Sequence, residues 1–276
     1  LCDCLTKKKY NVFATTRELS NRQVQDVKYI KLDFANNWRF SDLPKKIDIV
    51  IHAAQSLKYR QFPQESNDIF QVNINSTYKL LEYSRTINVK KFIYISSGGV
   101  YKTKDGLIKE TDSLLLPSEL GMYLGSKLCG ETLSQSYSQF FNLIILRPFF
   151  IYGPKQNNNM LIKRLMSNII NSKIIKLSGN EGISINPIHV TDASLAITKM
   201  LVELDDNHII NIGGDEIFSI KKMCDLFGNF LGKSPTYEFT HDKVKNLIGD
   251  ISFLKENLYS PKIKLVNALE ELKESI

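Results

Sequence analysis

The chain has 276 residues, 43% of them hydrophobic and 24% charged, which supplies a sizeable core and excludes a disordered or fibrous chain. No apolar run approaches the roughly 20 residues that cross a bilayer, and the sequence shows no charged-then-apolar leader, so a cytoplasmic protein without membrane contact is expected. The net charge of +7 comes from scattered basic residues whose densest run is Lys7-Lys8-Lys9. That pattern predicts a solvated surface and no nucleic-acid partner.

Short apolar runs alternate with longer helical stretches. The predicted strands are "YNVFATT" (10–16), "VKYIKLD" (27–33), "IDIVIHAA" (47–54), "KKFIYISS" (90–97), "NLIILRPF" (142–149) and "HIINIGG" (208–214). Several are near-continuous Val/Ile/Leu/Phe runs, as parallel strands buried on both faces require. The segments 66–87 and 118–138 between them have helical length and periodicity. This alternation predicts an α/β fold with a doubly wound parallel sheet.

After residue 153 the pattern loosens into a loop and helix, then "SIKKMCDLFGNFLGKSP", ended by Gly232 and Pro235, then a last amphipathic helix. The expected organisation is a sheet domain over 1–152, to which 186–212 returns, and a smaller substrate lobe over 153–276. Such a lobe would sit at the carboxyl edge of the sheet, where open α/β sheets bind ligands.

Four cysteines, Cys2, Cys4, Cys129 and Cys224, and four histidines, His52, His189, His208 and His241, lack the spacing of a zinc site. Free thiols and no metal are expected.

The opening "LCDCLTKKKYNV" reads as the end of a helix running into a strand. A dinucleotide-binding fold instead begins with a strand, a Gly-rich turn and a helix that holds the pyrophosphate. The first strand and phosphate loop therefore look cut off. The expected natural chain is longer by about 15 to 20 residues, one strand plus one turn.

The stretches "IHAAQS", "NINSTYKLLE", "YISSGGVY", "YLGSK", "LRPFFIYGP", "NPIHVTDASLAI" and "NIGGDEIFSI" follow one another along essentially the whole chain. Their order and spacing resemble the extended short-chain dehydrogenase/reductases, in particular the NAD-dependent epimerase/dehydratase group. The resemblance implies a Rossmann-type sheet, an NAD or NADP cofactor and a nucleotide-sugar substrate. It also implies a homodimer through the helices at 66–87 and 118–138.

Tyr123 is the one tyrosine of twelve with a lysine four positions on, Lys127. On a helix the pair shares a face. A free phenol has a pKa near 10 and is a poor base at neutral pH. An ammonium one turn away, with a cationic nicotinamide ring, is expected to stabilise the phenolate. The resemblance implies that Tyr123 moves the proton of a sugar hydroxyl or its ketone form. It also implies that Lys127 holds the nicotinamide ribose, and that Ser97, with Ser96 as second choice, hydrogen-bonds the reacting oxygen. The next two residues, Gly98-Gly99, stand where sugar 4,6-dehydratases of the family carry Asp-Glu, so elimination of water is not expected.

On the cofactor side, Thr16-Arg17 ends a strand where NAD enzymes carry an acid. Arg17 suits the 2′-phosphate of NADP, while the adjacent Glu18 keeps NAD open. Asp33 matches a contact to adenine, and the small Ala53 and Ala54 let a cofactor lie close. Asn73 shares a stripe with Ile69, Thr77 and Leu80, and is either an orienting contact of the site or a packing amide. His52 reads as structural.

Phe149, with Arg147 and Pro148, and Tyr152 match the family segment passing the nicotinamide. Asn186 and His189 match the segment near the substrate. Asp192 is expected to cap the helix "ASLAITKML". Many relatives carry an arginine before this segment for the substrate diphosphate. Ser184 and Ile185 stand nearby here, leaving Lys155 or Lys163 as substitutes, or a substrate of another kind.

The expected activity is hydride transfer at a carbon, C4, of a nucleotide-linked sugar. Three outcomes stay open: an epimerase, an NADPH-dependent 4-ketosugar reductase, and an inactive NAD(P)-binding protein, the last suggested by the missing opening segment.

Overall fold

The computed structural model describes residues 1–19, 24–242 and 244–276. Helix α1 (Cys2–Lys7) leads into β1 (Val12–Thr16), β2 (Val27–Lys31) and β3 (Ile49–His52). Helix α2 (Ser66–Phe70) passes through one π turn (Gln71–Asn75) into α3 (Ser76–Thr86), followed by β4 (Lys91–Ile95), α4 (Gly121–Ser136) and β5 (Asn142–Pro148). Next come β6 (Ile151–Tyr152), α5 (Leu161–Ile170), β7 (Ile175–Ser178), β8 (Ser184–Ile185), β9 (Ile188–His189), α6 (Val190–Glu203) and β10 (His208–Ile212). The remaining elements are β11 (Phe218–Ser219), α7 (Ile220–Leu231), β12 (Tyr237–Thr240), α8 (Ser252–Asn257) and α9 (Leu269–Glu274).

The residues divide into two compact units. The first comprises Leu1–Val100, Leu114–Arg147 and Ile197–Ile210; the second comprises Tyr101–Ser113, Pro148–Ala196 and Asn211–Ile276.

Each apolar run of the first unit becomes a strand, one to four residues shorter than its sequence pattern. The main sheet has the order β10-β5-β4-β3, and β1 and β2 form a separate parallel pair, with Val12 opposite Val27 and Thr16 opposite Lys31. Strands β3, β4 and β5 run parallel, Ile51 opposite Ile93 and Ile93 opposite Ile144. The result is the helix-flanked, Rossmann-like parallel sheet expected. Phe92, Leu81, Leu143 and Ile145 lie in its core with Trp38 and Tyr94. Removing a side chain such as Phe92, which is fully buried, costs about 3–5 kcal/mol in such cores.

Two local features shape the site. A Cβ on Gly130 would meet the Tyr94 hydroxyl at 2.1 Å, so only glycine lets α4 lie this close to the sheet. The π turn between α2 and α3 interrupts a helix that periodicity shows as continuous. The hydroxyls of Ser76 and Thr77 donate back to the carbonyls of Val72 and Asn73 there, an alternative partner for groups displaced from the regular ladder.

The second unit packs α5 and α7 over a core of Met166, Met223, Cys224, Phe227 and Leu272. Strand β12 pairs in parallel with β7, β11 is antiparallel to β8, and β6 is parallel to β9. Helix α7 is capped at its start by Ser219, whose Oγ accepts from the Lys222 amide at 3.1 Å, and at its end by Gly232 in the left-handed region, φ 64°.

Asp192 is not the helix cap expected of it, because α6 already begins at Val190. Its buried carboxylate instead accepts from the Tyr259 hydroxyl at 2.6 Å and the amides of Lys262 and Ile263 at 2.9 and 2.8 Å. A negative charge removed from water requires such donors, and segment 259–263 supplies them.

Candidate active site

In the first unit, α4 carries Tyr123 and Lys127 on one face beside the ends of β3 and β4. The Tyr123 hydroxyl donates to Gln55 Oε1 at 3.2 Å, and the Ser97 hydroxyl bears on the same phenol. The Tyr59 ring lies 4.7 Å from the Tyr123 ring, tilted by 45°. The Ser97 oxygen also accepts from the Gly99 amide at 3.1 Å, which fixes its orientation. Ser96 has a different role: it donates to the Glu131 carboxylate.

Lys127 does not act on the phenol as expected. Its ammonium donates to the Ile95 carbonyl at 3.0 Å and lies 5.7 Å from the centre of the Tyr94 ring. Burial lowers its pKa to about 8. Burial likewise holds the Tyr123 phenol above its usual range, opposed by the Ser97 hydrogen bond and the Arg60 charge and assisted by the Tyr59 phenol. Within the protein's own charges, desolvation outweighs the acidifying effect that the four-residue spacing suggests.

Asn73 is a staple in this arrangement. Its Oδ1 accepts from the Ser56 amide at 2.8 Å, and its Nδ2 donates to Ser126 Oγ at 2.9 Å. Ser126 in turn donates to the Tyr123 carbonyl at 2.7 Å. The π turn thus ties the loop after β3 to the turn of α4 that bears the phenol, so both ends of the Asn73 amide are spent within the protein. His52 is structural, as expected: it meets Thr77 Oγ1 at 2.9 Å, and burial, then the Lys127 charge, lowers its pKa to about 3.

A cavity of about 330 Å³ opens beside this cluster, lined by Thr15, Thr16, Arg17, Asp33, Ala53, Ala54 and Gln55 among others. The four expected cofactor residues among these come together there. Asp33 shapes its own turn, accepting from the Ala35 amide at 3.0 Å and Asn36 Nδ2 at 3.1 Å. At the floor, Ser56 Oγ donates to Asp68 Oδ2 at 2.5 Å.

Beneath Tyr123, Arg147 grips Glu131 with both Nε and Nη2, at 3.0 and 2.6 Å. Both side chains are about 4% exposed. This fork ties α4 to β5. Arg147 is thereby a scaffold residue.

The second unit holds the other expected residues. Phe149 is 1% exposed, stacked on Tyr101 at 6.1 Å, with its amide on the Ile212 carbonyl, so its ring belongs to a packed interior. Asn186 spends its amide on the backbone: Nδ2 donates to the carbonyls of Gly214 and Gly249, and Oδ1 accepts from the Gly249 amide. Buried Tyr152 lies edge-on to His189 at 5.3 Å. His189 Nε2 lies 2.6 Å from Glu271 Oε1 in poor hydrogen-bond alignment. Lys163, a substitute cation for the substrate diphosphate, is instead held by the carbonyls of Pro154, Gln156 and Ser275 at 3.2, 3.0 and 2.7 Å. A buried ammonium takes the nearest acceptors, and Lys163 spends its donors on these three carbonyls.

Sequence reasoning missed Gln55, Tyr59, Arg60, Ser126 and Glu131. Gln55 lies within the recognisable "IHAAQS", and Glu131 follows Lys127 by one helical turn, so both carried a signal. Tyr59 and Arg60 lie in a loop with no periodicity to mark them.

The parallel sheet with its flanking helices, the cavity at its edge and the Tyr-Lys-Ser cluster define a Rossmann-like class of protein. A family model described as "NAD dependent epimerase/dehydratase family" matches residues 1–213, and the chain belongs to that family. It is 31% identical over 241 residues to an uncharacterized UDP-glucose epimerase of Bacillus subtilis (strain 168), covering 83% of this chain and 74% of that one. A UDP-glucuronate 4-epimerase of Thermodesulfobacterium geofontis (strain OPF15) is 26% identical over 258 residues, 90% of this chain and 79% of its own. Among solved structures, the UDP-glucuronic acid 4-epimerase of Bacillus cereus in complex with NAD superposes with a TM-score of 0.86 at 28% identity, covering 99% of this chain and 91% of that chain. Among the described residues no helix is long and apolar enough to cross a membrane.

Proposed function

We propose that the protein is an NAD(P)-dependent enzyme acting at C4 of a nucleotide-linked sugar, with Tyr123 as the acid/base. The observation that carries this reading is the Tyr123 hydroxyl set against Gln55 and Ser97, beside a cavity lined by Arg17, Asp33, Ala53 and Ala54. The epimerases of Thermodesulfobacterium geofontis and Bacillus cereus support the choice of carbon and of a nucleotide sugar.

The cavity suits a nicotinamide dinucleotide: Ala53 and Ala54 leave room against the backbone, and Thr15, Thr16, Arg17 and Asp33 offer polar groups to its ribose and phosphate. When bound, that cofactor supplies reversible hydride exchange. The chain's own residues handle the proton. Ser97 holds the reacting sugar oxygen, Tyr123 takes or returns its proton, and Lys127 is the residue that would hold the nicotinamide ribose. Gly98 and Gly99 carry no group able to eliminate water. A homodimer through helices 66–87 and 118–138 belongs to the same reading; Phe70 and Tyr78, about half exposed at 45% and 48%, stand on the first of them.

A second reading has its own observation. Arg17, with Thr16, Glu18 and Asp33, lines a recess adjoining the cavity, and its guanidinium suits the 2′-phosphate of NADP. That favours an NADPH-dependent ketosugar reductase. Incubation with UDP-glucose or UDP-glucuronate and each nicotinamide separates the two. An epimerase inverts the sugar with no net cofactor consumption, and a reductase consumes NADPH in proportion to added 4-keto sugar. Neither activity, in protein shown to bind nicotinamide, would overturn both.

A further inference from the structure

The loop after β3 builds a layered contact on the phenol. Tyr59 packs against Tyr123 at 4.7 Å between ring centres, and the Arg60 guanidinium carbon lies 5.2 Å from the centre of the Tyr59 ring. Gln55, from the same loop, accepts the Tyr123 hydroxyl, and the amide of Ser56 is stapled through Asn73 to Ser126 on α4. The loop is therefore fixed at both its start and its ring contact. Meanwhile Lys127, the cation on the phenol's own helix, faces the Ile95 carbonyl.

We propose that Tyr59 and Arg60 are positioning residues for Tyr123: the Tyr59 ring sets the plane of the phenol, and the Arg60 guanidinium held against it supplies the positive potential under which the proton leaves. This rests on the reading of Tyr123 as the acid/base. The groups facing the phenol are Tyr59, Arg60 and Gln55 from the loop, Ser97 from the end of β4 and Tyr94 from β4 itself, while the Lys127 ammonium of α4 is turned to the Ile95 carbonyl. Arg60 is the cation that bears on the phenol, and it opposes the effect of burial. Arg60 is exposed, and its contact with the Tyr59 ring holds the charge at one place next to the ring that packs on the phenol, where part of its field survives screening by solvent.

The test titrates the phenol directly. In protein labelled with ¹³Cζ-tyrosine, the Tyr123 resonance is assigned by its loss in Tyr123→Phe and followed against pH. Arg60→Gln is expected to raise its midpoint by about half a pH unit or more, as loss of a nearby opposite charge does, and Arg60→Lys to restore most of it. Tyr59→Leu is expected to lower kcat more than it raises KM, with Tyr59→Phe close to the parent. Superimposable titrations of parent and Arg60→Gln would overturn the proposal. Because the resonance is read without turnover, that failure is distinct from failure of the acid/base reading, which would appear as an active Tyr123→Phe.

Discussion

The Lys127 ammonium donates to the Ile95 carbonyl at 3.0 Å, so a buried cation pins helix α4 to the end of strand β4. Its folded pKa of about 8 lies below the ordinary 10.5. The charged form is thus disfavoured in the folded protein, and that cost is fully present below about 8. As pH rises from about 8 to 10.5, the folded chain releases this proton before the unfolded chain does, so stability rises across the window. Urea unfolding of parent and Lys127→Met should show the parent gaining on the variant through that window. A difference that stays flat with pH would contradict it.

The Arg147–Glu131 fork is the most deeply buried ion pair described. Truncating one partner leaves the other charged and unpaired, which costs about 3–5 kcal/mol. Arg147→Met alone and Glu131→Met alone should each lose stability on this scale by chemical denaturation. The double variant should lose much less than their sum, because it leaves no orphaned charge. Additive losses would show that the pair contributes nothing as a pair.

Asp192 offers both carboxylate oxygens to donors from segment 259–263. Asp192→Asn replaces one acceptor with an NH₂ that faces donors. The expected loss is about 1–3 kcal/mol, and the amides of Lys262 and Ile263 should exchange with deuterium faster than in the parent. Unchanged protection at those two amides would remove Asp192 from this role.

The strands were readable because buried parallel strands leave continuous Val/Ile/Leu runs, and β3, β4 and β5 fall inside "IDIVIHAA", "KKFIYISS" and "NLIILRPF". The stripe of Ile69, Asn73, Thr77 and Leu80 was also legible, and all four are buried. The π turn that Asn73 occupies was not, since one extra residue per turn leaves apolar spacing nearly unchanged. Charge states were the least legible. Spacing placed Lys127 near Tyr123, but whether the ammonium points to the phenol or to a carbonyl depends on acceptors from β4, far away in sequence. Asn186, Lys163 and Asp192 share that limit: each buried polar group has partners far along the chain, the Gly214 and Gly249 carbonyls, the Ser275 carbonyl and segment 259–263, which no local motif displays.

The central claim is that the Tyr123 hydroxyl carries the proton. Replacing it by Phe keeps the ring against Tyr59 and removes only that group. The measurement is kcat/KM for interconversion of a UDP-sugar by Tyr123→Phe, with nicotinamide binding measured on the same samples. A fall of at least about a hundredfold with binding retained is predicted, the scale of general acid–base catalysis. Near-parental turnover would contradict the account.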